Sequence, residues 1–192
     1  MVPEWRAQRN HWQTGQLKEM GLAEKAAASE HVGQEFATWL YWRSSTHGSR
    51  VKLDGVEEFQ VWFESPVELV SDWGDATAVV VSGGLPLDSP EAHRALREGK
   101  KIAKARLRLI VKNQTHTCAF DASVFAVSGL KVPLPPNLGG GDAMLLRLEL
   151  FEEFEAFLSQ VFEAFLRLRL DDKAWAGEAK KMTAWVAGLG DA

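Results

Sequence analysis

Apolar residues recur along the chain with two different periods, and the change of period separates its helical parts from its extended parts. Near the N-terminus, Val32, Phe36, Trp39 and Leu40 recur at helical spacing, with polar residues between them. This spacing predicts a helix over about Glu30–Ser45.

Strict alternation replaces helical spacing after the first helix. It predicts short strands at Arg50–Leu53, Glu58–Glu64, Val67–Ser71, Ala76–Val81, Lys101–Lys112, Thr115–Phe120 and Val124–Val127. Asp54-Gly55 is typical of a hairpin turn, a tight turn is expected around Asn113-Gln114, and Pro66 is expected to interrupt a strand. Asp88-Ser89-Pro90-Glu91 predicts the start of a short helix that ends at Gly99.

Helical spacing returns in the last third. A heptad-like apolar seam is formed by Phe151, Phe154, Leu158, Val161, Phe165 and Leu168. We expect this seam to pack on the protein's own sheet, with a partner helix in a homodimer as the alternative. A shorter helix is expected at about Lys173–Ala187.

These elements predict an α+β fold, in which an N-terminal helix and long C-terminal amphipathic helices pack on an antiparallel or mixed sheet of short strands. Residues 29–192 are expected to form a single domain, with the sheet at about 49–132 and the C-terminal helices at about 142–188. Residues 1–28 are polar and are interpreted as a partly ordered leader. The apolar fraction of 46% and the charged fraction of 25% are ordinary for a globular protein.

Several features common in secreted or membrane proteins are missing. The N-terminus has no apolar core of a signal peptide, and the chain has no uncharged apolar stretch of about 18 residues. Cys118 is the single cysteine, which excludes an internal disulfide and the usual cysteine-based zinc site. We therefore expect a cytoplasmic protein that uses no metal and no cofactor.

The net charge of −4 hides a strongly basic segment. Between residues 94 and 112 the only acid is Glu98, so this segment carries +7 and the rest of the chain −11. An anionic partner responds to such a local field rather than to the net charge. The candidate DNA-binding residues are Arg94, Arg97, Lys100, Lys101, Lys104, Arg106, Arg108 and Lys112.

The basic strand is the most informative part of this segment. Lys104, Arg106, Arg108 and Lys112 alternate with small and aliphatic residues, which places the four cations on one sheet face, roughly 6–7 Å apart at alternate positions. Phosphates spaced along a nucleic-acid backbone would neutralise them and release counterions. The alternative is a solvated face on which the cations pair across the sheet with Glu58, Glu64 or Glu68.

Trp62 lies on the polar side of its predicted strand. It is a candidate for stacking on bases or for anchoring a protein interface, and a second packed layer over that face would explain it equally well.

Enzyme signatures are weak. The five histidines are scattered with no pair at helical metal-binding spacing, and Gly139-Gly140-Gly141 lacks the Lys-Ser/Thr of a phosphate loop. We therefore expect no catalytic residues and no metal site. A nuclease with dispersed carboxylates stays as the least favoured alternative.

The order of these motifs resembles the C-terminal half of the recombination-associated protein RdgC family. The similarity rests on the helix at Phe36–Trp42, on Val79–Ser82 followed by Asp88–Glu91, on Leu96–Leu107 with its glycine-lysine element before a basic strand, and on Ser128–Pro133.

The resemblance covers roughly Gly33 to Leu170. It implies a non-enzymatic protein that binds DNA with little sequence preference, forms ring-shaped homodimers with a positive inner surface and restrains recombinase loading. It also implies that the DNA-facing surface is lined by Lys100, Lys101, Lys104, Arg106 and Arg108. The family's N-terminal half has no counterpart here, so ring closure that depends on that half is not implied.

The sequence as a whole predicts a DNA-binding protein without sequence specificity, acting on double-stranded DNA in recombination, replication or repair. We expect it to be associated with the nucleoid and to form a homo-oligomer. The alternative is a protein-interaction or structural subunit of a larger assembly that uses the basic face and the Phe-rich helix.

Overall fold

The computed structural model describes residues 32–71, 77–135 and 140–189. The chain divides after Val32, and the fold below is that of the unit Gly33–Ala192. The leader at 1–28, the start of the first helix at Glu30 and the turn at Asp72–Asp75 lie outside the described residues.

The described residues form four α-helices and one antiparallel sheet of six strands, which confirms the α+β prediction. The elements are α1 (Val32–Thr46), β1 (Arg50–Leu53), β2 (Val56–Val70), β3 (Ala78–Val81), a 3₁₀ turn (Pro86–Asp88), α2 (Pro90–Arg97), β4 (Lys101–Val111), β5 (Gln114–Asp121), β6 (Ala126–Lys131), α3 (Gly140–Leu170) and α4 (Asp172–Ala187). The strand order is β1-β2-β4-β5-β6, and β3 also pairs with β2.

β2 is longer than the sequence predicts. Pro66 was expected to interrupt it, and this expectation is wrong: the strand runs on to Val70 and pairs with β4 on both sides of the proline. The register between the two strands shifts between Glu64 and Val67. Such an irregularity tolerates a residue that has no N–H to donate to the ladder.

The hairpin β4–β5 forms almost as predicted, whereas β6 is displaced. Lys112 and Asn113 both have positive φ (50° and 62°), as a two-residue type I′ turn requires. The further strand is present, but the predicted bounds of Val124–Val127 are wrong: β6 begins at Ala126, and Phe125 lies in the preceding turn with φ 48°.

The apolar face of the sheet is covered by α1 and α3. The Phe-rich seam of α3 packs on the protein's own sheet, as expected: the ring of Phe154 lies 5.2 Å from that of His116 in β5, and Phe157, beside the seam, contacts Phe59 of β2 edge-on at 5.0 Å between ring centroids. On α1, Phe36 contacts Phe165 of α3 at 5.5 Å and Phe120 of β5 at 6.1 Å. Four of the six seam residues, Phe154, Leu158, Val161 and Phe165, are buried inside the subunit, which favours packing on the sheet over the partner helix.

The first ten residues of α3 extend beyond this core. No residue of the helix before Leu150 is buried, and Met144, Leu145 and Leu148 are largely exposed. They form an apolar surface that nothing in the described part of the chain covers.

Ser89 caps α2 as the sequence suggests. Its hydroxyl oxygen accepts a hydrogen bond from the backbone N–H of Ala92, and Pro90 occupies the first helical position. Gly99, with φ 85°, then turns the chain from α2 into β4.

His116 is a polar side chain in the apolar core. It is 5% exposed, its ring lies 5.2 Å from that of Phe154, and its Nδ1 atom is enclosed without a hydrogen-bond partner among the described residues. Burial lowers the pKa of His116, and the nearby Glu153 carboxylate opposes this effect. The same residue borders a cavity of about 220 Å³ whose other charged groups are Glu57, Lys112 and Glu153.

The start of α1 passes very close to the backbone at the end of β5, and Gly33 is the residue at this point. A Cβ atom at this position would overlap the carbonyl oxygen of Ala122, which follows β5. We expect Gly33→Ala to destabilise the protein by about 1–3 kcal/mol, since backbone would have to move to relieve the overlap. Gly177→Ala in α4 meets open space and should instead stabilise by about 0.5–1 kcal/mol. Urea unfolding of the two variants checks the opposite signs.

Protonation of His116 is expected to weaken the fold. The pKa of His116 is lower in the folded protein than in the unfolded chain, so the unfolded chain takes up this proton first as the pH falls. The stabilisation that comes from neutral His116 is therefore fully present above about pH 6.5, the ordinary pKa of histidine, and is lost as the pH drops through the folded pKa. The free energy of unfolding should decrease between pH 7.5 and pH 5.5 in the parent protein and change less in His116→Leu. His93→Gln serves as the control and should keep the parent's pH dependence.

Candidate functional site

The basic strand places its cations on the sheet face that is turned away from α1 and α3. Along β4, Ala105, Leu107 and Leu109 are buried, and the alternating residues Lys104, Arg106 and Arg108 are exposed or half-buried. The predicted alternation is therefore confirmed for these three cations. We call this side of the sheet the open face.

Two cations of the open face are ion-paired to β2. The Lys104 Nζ atom lies 3.1 Å from an oxygen of Glu68, and the Arg108 Nε atom lies 2.8 Å from an oxygen of Glu64. Hydrogen bonding and charge from Glu68, with a smaller effect of Asp121, raise the pKa of Lys104. Of the two interpretations that the sequence left open, cross-strand pairing holds for Lys104 and Arg108.

Trp62 lies beneath Arg108 on the same face. The guanidinium carbon of Arg108 is 4.4 Å from the centroid of the indole, and the indole is half-buried. Strand register explains the contact, because Trp62 is directly opposite Arg108 in the β2–β4 pair. Trp62 is therefore on the open face as predicted, but one of its ring faces is already covered.

Arg106 differs from its neighbours. It is opposite Glu64 in the register, yet the carboxylate of Glu64 is the one that pairs with Arg108. Within the part of the chain that the structure describes, Arg106 has no carboxylate partner and is exposed. It stands between the two ion pairs, and no described residue occupies its guanidinium as an ion-pair partner.

The sequence did not indicate that cations outside β4 also lie on the open face. Arg50 of β1 is opposite Gln60, and Lys131 of β6 is opposite Thr117, which is itself opposite Arg108. Both side chains are exposed, and neither forms an ion pair with a described residue. Arg50 belongs to β1 and Lys131 to β6, so only the strand pairing brings them onto the surface of Arg106.

The other five predicted DNA-binding residues lie elsewhere. Lys112 sits at the β4–β5 turn, 3.6 Å from Glu57. Arg94, Arg97, Lys100 and Lys101 lie near the end of α2, and their head groups contact Glu98, the carbonyl oxygen of Leu189 and Glu35 of α1. Lys100 is only 5% exposed. The eight cations that are close in sequence thus do not form one surface.

Metal binding and catalysis by a cysteine nucleophile find little support among the described residues. They contain no cluster of three or more His, Cys, Asp or Glu side chains that could hold a metal ion. Burial raises the pKa of the Cys118 thiol to about 12, so this thiol is not a nucleophile near neutral pH. None of the described helices combines the length and the apolar character needed to cross a bilayer.

The chain matches no protein-family model, no curated protein and no solved structure.

Proposed function

We propose that this chain binds DNA without sequence preference through the open face of its sheet, and that it acts in recombination, replication or repair. The observation that carries the proposal is the exposed guanidinium of Arg106, which has no carboxylate partner among the described residues and shares its sheet face with Arg50 and Lys131. An arginine side chain in this state is suited to a phosphate oxygen pair. The resemblance of the sequence to the RdgC family favours the same partner.

The ion pairs beside Arg106 oppose this binding only weakly. Lys104 and Arg108 are 54% and 40% exposed, and exposed pairs of this kind contribute about 0–1 kcal/mol and are screened by salt. A phosphate can therefore replace a carboxylate at small cost. The carboxylates of Glu64, Glu68 and Asp121 remain on the face, however, and they limit how closely a polyanion approaches.

The salt dependence of binding measures how many cations take part. If Arg106, Arg50 and Lys131 are the contacts, the slope of log K against log salt concentration should be about −3, whereas engagement of all eight predicted cations would give about −7. A mobility-shift series with a double-stranded fragment at several salt concentrations gives this slope.

Arg106→Glu is the decisive variant. It should weaken DNA binding by about tenfold or more, because it removes a phosphate contact and adds a negative charge. The thermal unfolding midpoint should stay nearly constant, since Arg106 is exposed. Lys180→Glu on α4 makes the same change of charge away from the open face and should bind as the parent does. Parental affinity in Arg106→Glu would remove the DNA proposal.

A second candidate function is docking of a protein partner, and three observations favour it. The stacked pair Trp62–Arg108 combines the two residue types that are most enriched at binding hot spots. In addition, Met144, Leu145 and Leu148 expose an apolar surface on the first turns of α3. The ion pairs of the open face leave it nearly balanced in charge, which suits a protein surface better than a polyanion.

This alternative predicts a stoichiometric complex that survives nuclease treatment. Trp62→Ala should abolish the complex if the open face docks the partner, and Leu145→Ser should do so if α3 does. Leu85→Ser is the matched control, since Leu85 is as exposed as Leu145 (65% and 62%) but lies in another part of the chain. Light scattering on the purified protein shows whether the partner is a second copy of this chain. Loss of the complex on nuclease treatment would contradict protein docking.

A further inference from the structure

A groove of about 300 Å³ lies between α1, α2 and α4, away from the open face. Its apolar wall is formed by Leu96, Trp175, Met182 and Val186. α4 leaves this space because it packs incompletely: the helix contains no fully buried residue, although Trp175, Met182 and Val186 all turn towards the groove. The volume is in the range of sites that hold small organic molecules.

Cations dominate the charged part of the groove. Arg97, Lys100 and Lys101 line it, against the single carboxylate of Glu35. That carboxylate is shared by two cations, since Lys101 Nζ is 3.3 Å and Arg169 Nε 2.8 Å from its two oxygens.

A second carboxylate, at the end of α2, is shared in the same way. Glu98 accepts from Lys100 and from Arg94, each at 2.9 Å, and these hydrogen bonds lower its pKa. On the open face, by contrast, Glu64 and Glu68 are each paired with one cation. Near the groove, therefore, four cations share two carboxylates.

Arg97 has no carboxylate partner among the described residues. Its Nη1 donates to the backbone carbonyl oxygen of Leu189 at 2.7 Å, which holds the guanidinium at the groove and leaves its other N–H groups available. A guanidinium fixed in this manner beside an apolar slot is complementary to a carboxylate that carries an apolar tail.

We propose that the groove binds a small free carboxylic acid with an apolar body, such as a medium-chain fatty acid. The carboxylate contacts Arg97 and Lys101, and the chain lies against Trp175, Met182 and Val186. The apolar wall argues for this ligand and against a nucleic-acid phosphate, which has no apolar part to bury. This site is independent of the proposed DNA-binding face and of its test.

The probe is sodium decanoate, and the methionines report where it binds. In protein labelled with ¹³C at the methionine methyl groups, the Met182 resonance should shift on titration, while that of Met144, exposed on α3, should stay in place. Met182→Leu assigns the first resonance. Decan-1-ol has the same chain without the charge and should bind about tenfold more weakly.

Charge variants separate this site from the open face. Arg97→Gln and Lys101→Gln should each weaken decanoate binding by about tenfold and leave decan-1-ol binding unchanged. Arg106→Gln, a matched loss of charge on the open face, should bind decanoate as the parent does. The proposal is overturned if decanoate and decan-1-ol bind equally, if Met144 shifts along with Met182, or if a DNA duplex shifts Met182 and displaces decanoate.

Discussion

The packing of Phe36 is the constraint on which the rest of the structure depends. This side chain of α1 is fully buried and contacts five aromatic rings, those of Trp39, Phe120, Phe125, Phe162 and Phe165. It thereby joins α1, β5, the β5–β6 turn and α3. Because both helices are held to one side of the sheet, every alternate residue of β2 and β4 must point to the other side. The open face and its charges follow from that core.

Strand register then decides what the charges of the open face can do. In the register, Lys104 is opposite Glu68 and Arg106 is opposite Glu64, but the carboxylate of Glu64 contacts Arg108 instead. Cross-strand pairs of opposite charge stabilise a sheet only modestly. The remaining cation of β4, Arg106, has no carboxylate partner among the described residues, so its guanidinium can donate hydrogen bonds to a ligand. Position in the register, rather than the total charge of the strand, thus decides which cation of β4 is available.

Much of this fold can be predicted from local pattern, and the misses have physical causes. The alternation in β4, the cap at Ser89 and the seam of α3 are set by residues close in sequence, and the sequence indicates them. The continuation of β2 through Pro66 depends on a register shift against β4. The left-handed backbone of Phe125 depends on aromatic contacts, including Phe162 at 4.1 Å, that hold this unusual conformation in place. The spacing of apolar residues along the chain indicates neither the continuation of β2 nor the conformation of Phe125.

The basic segment shows why charge that is contiguous in sequence is not a property of one surface. The helix α2 and the turn at Gly99 direct Arg97, Lys100 and Lys101 towards α1 and α4, whereas the strand that follows directs Arg106 and its neighbours to the open face. How much positive charge is left unneutralised at each surface depends on how many cations share one carboxylate. Glu98 and Glu35 are each shared by two cations, whereas Glu64 and Glu68 of the open face each pair with one. Most of the unneutralised positive charge of the basic segment therefore lies near the groove. The sequence shows where the cations are along the chain. The electrostatic field at a surface also depends on where the fold places the acidic side chains.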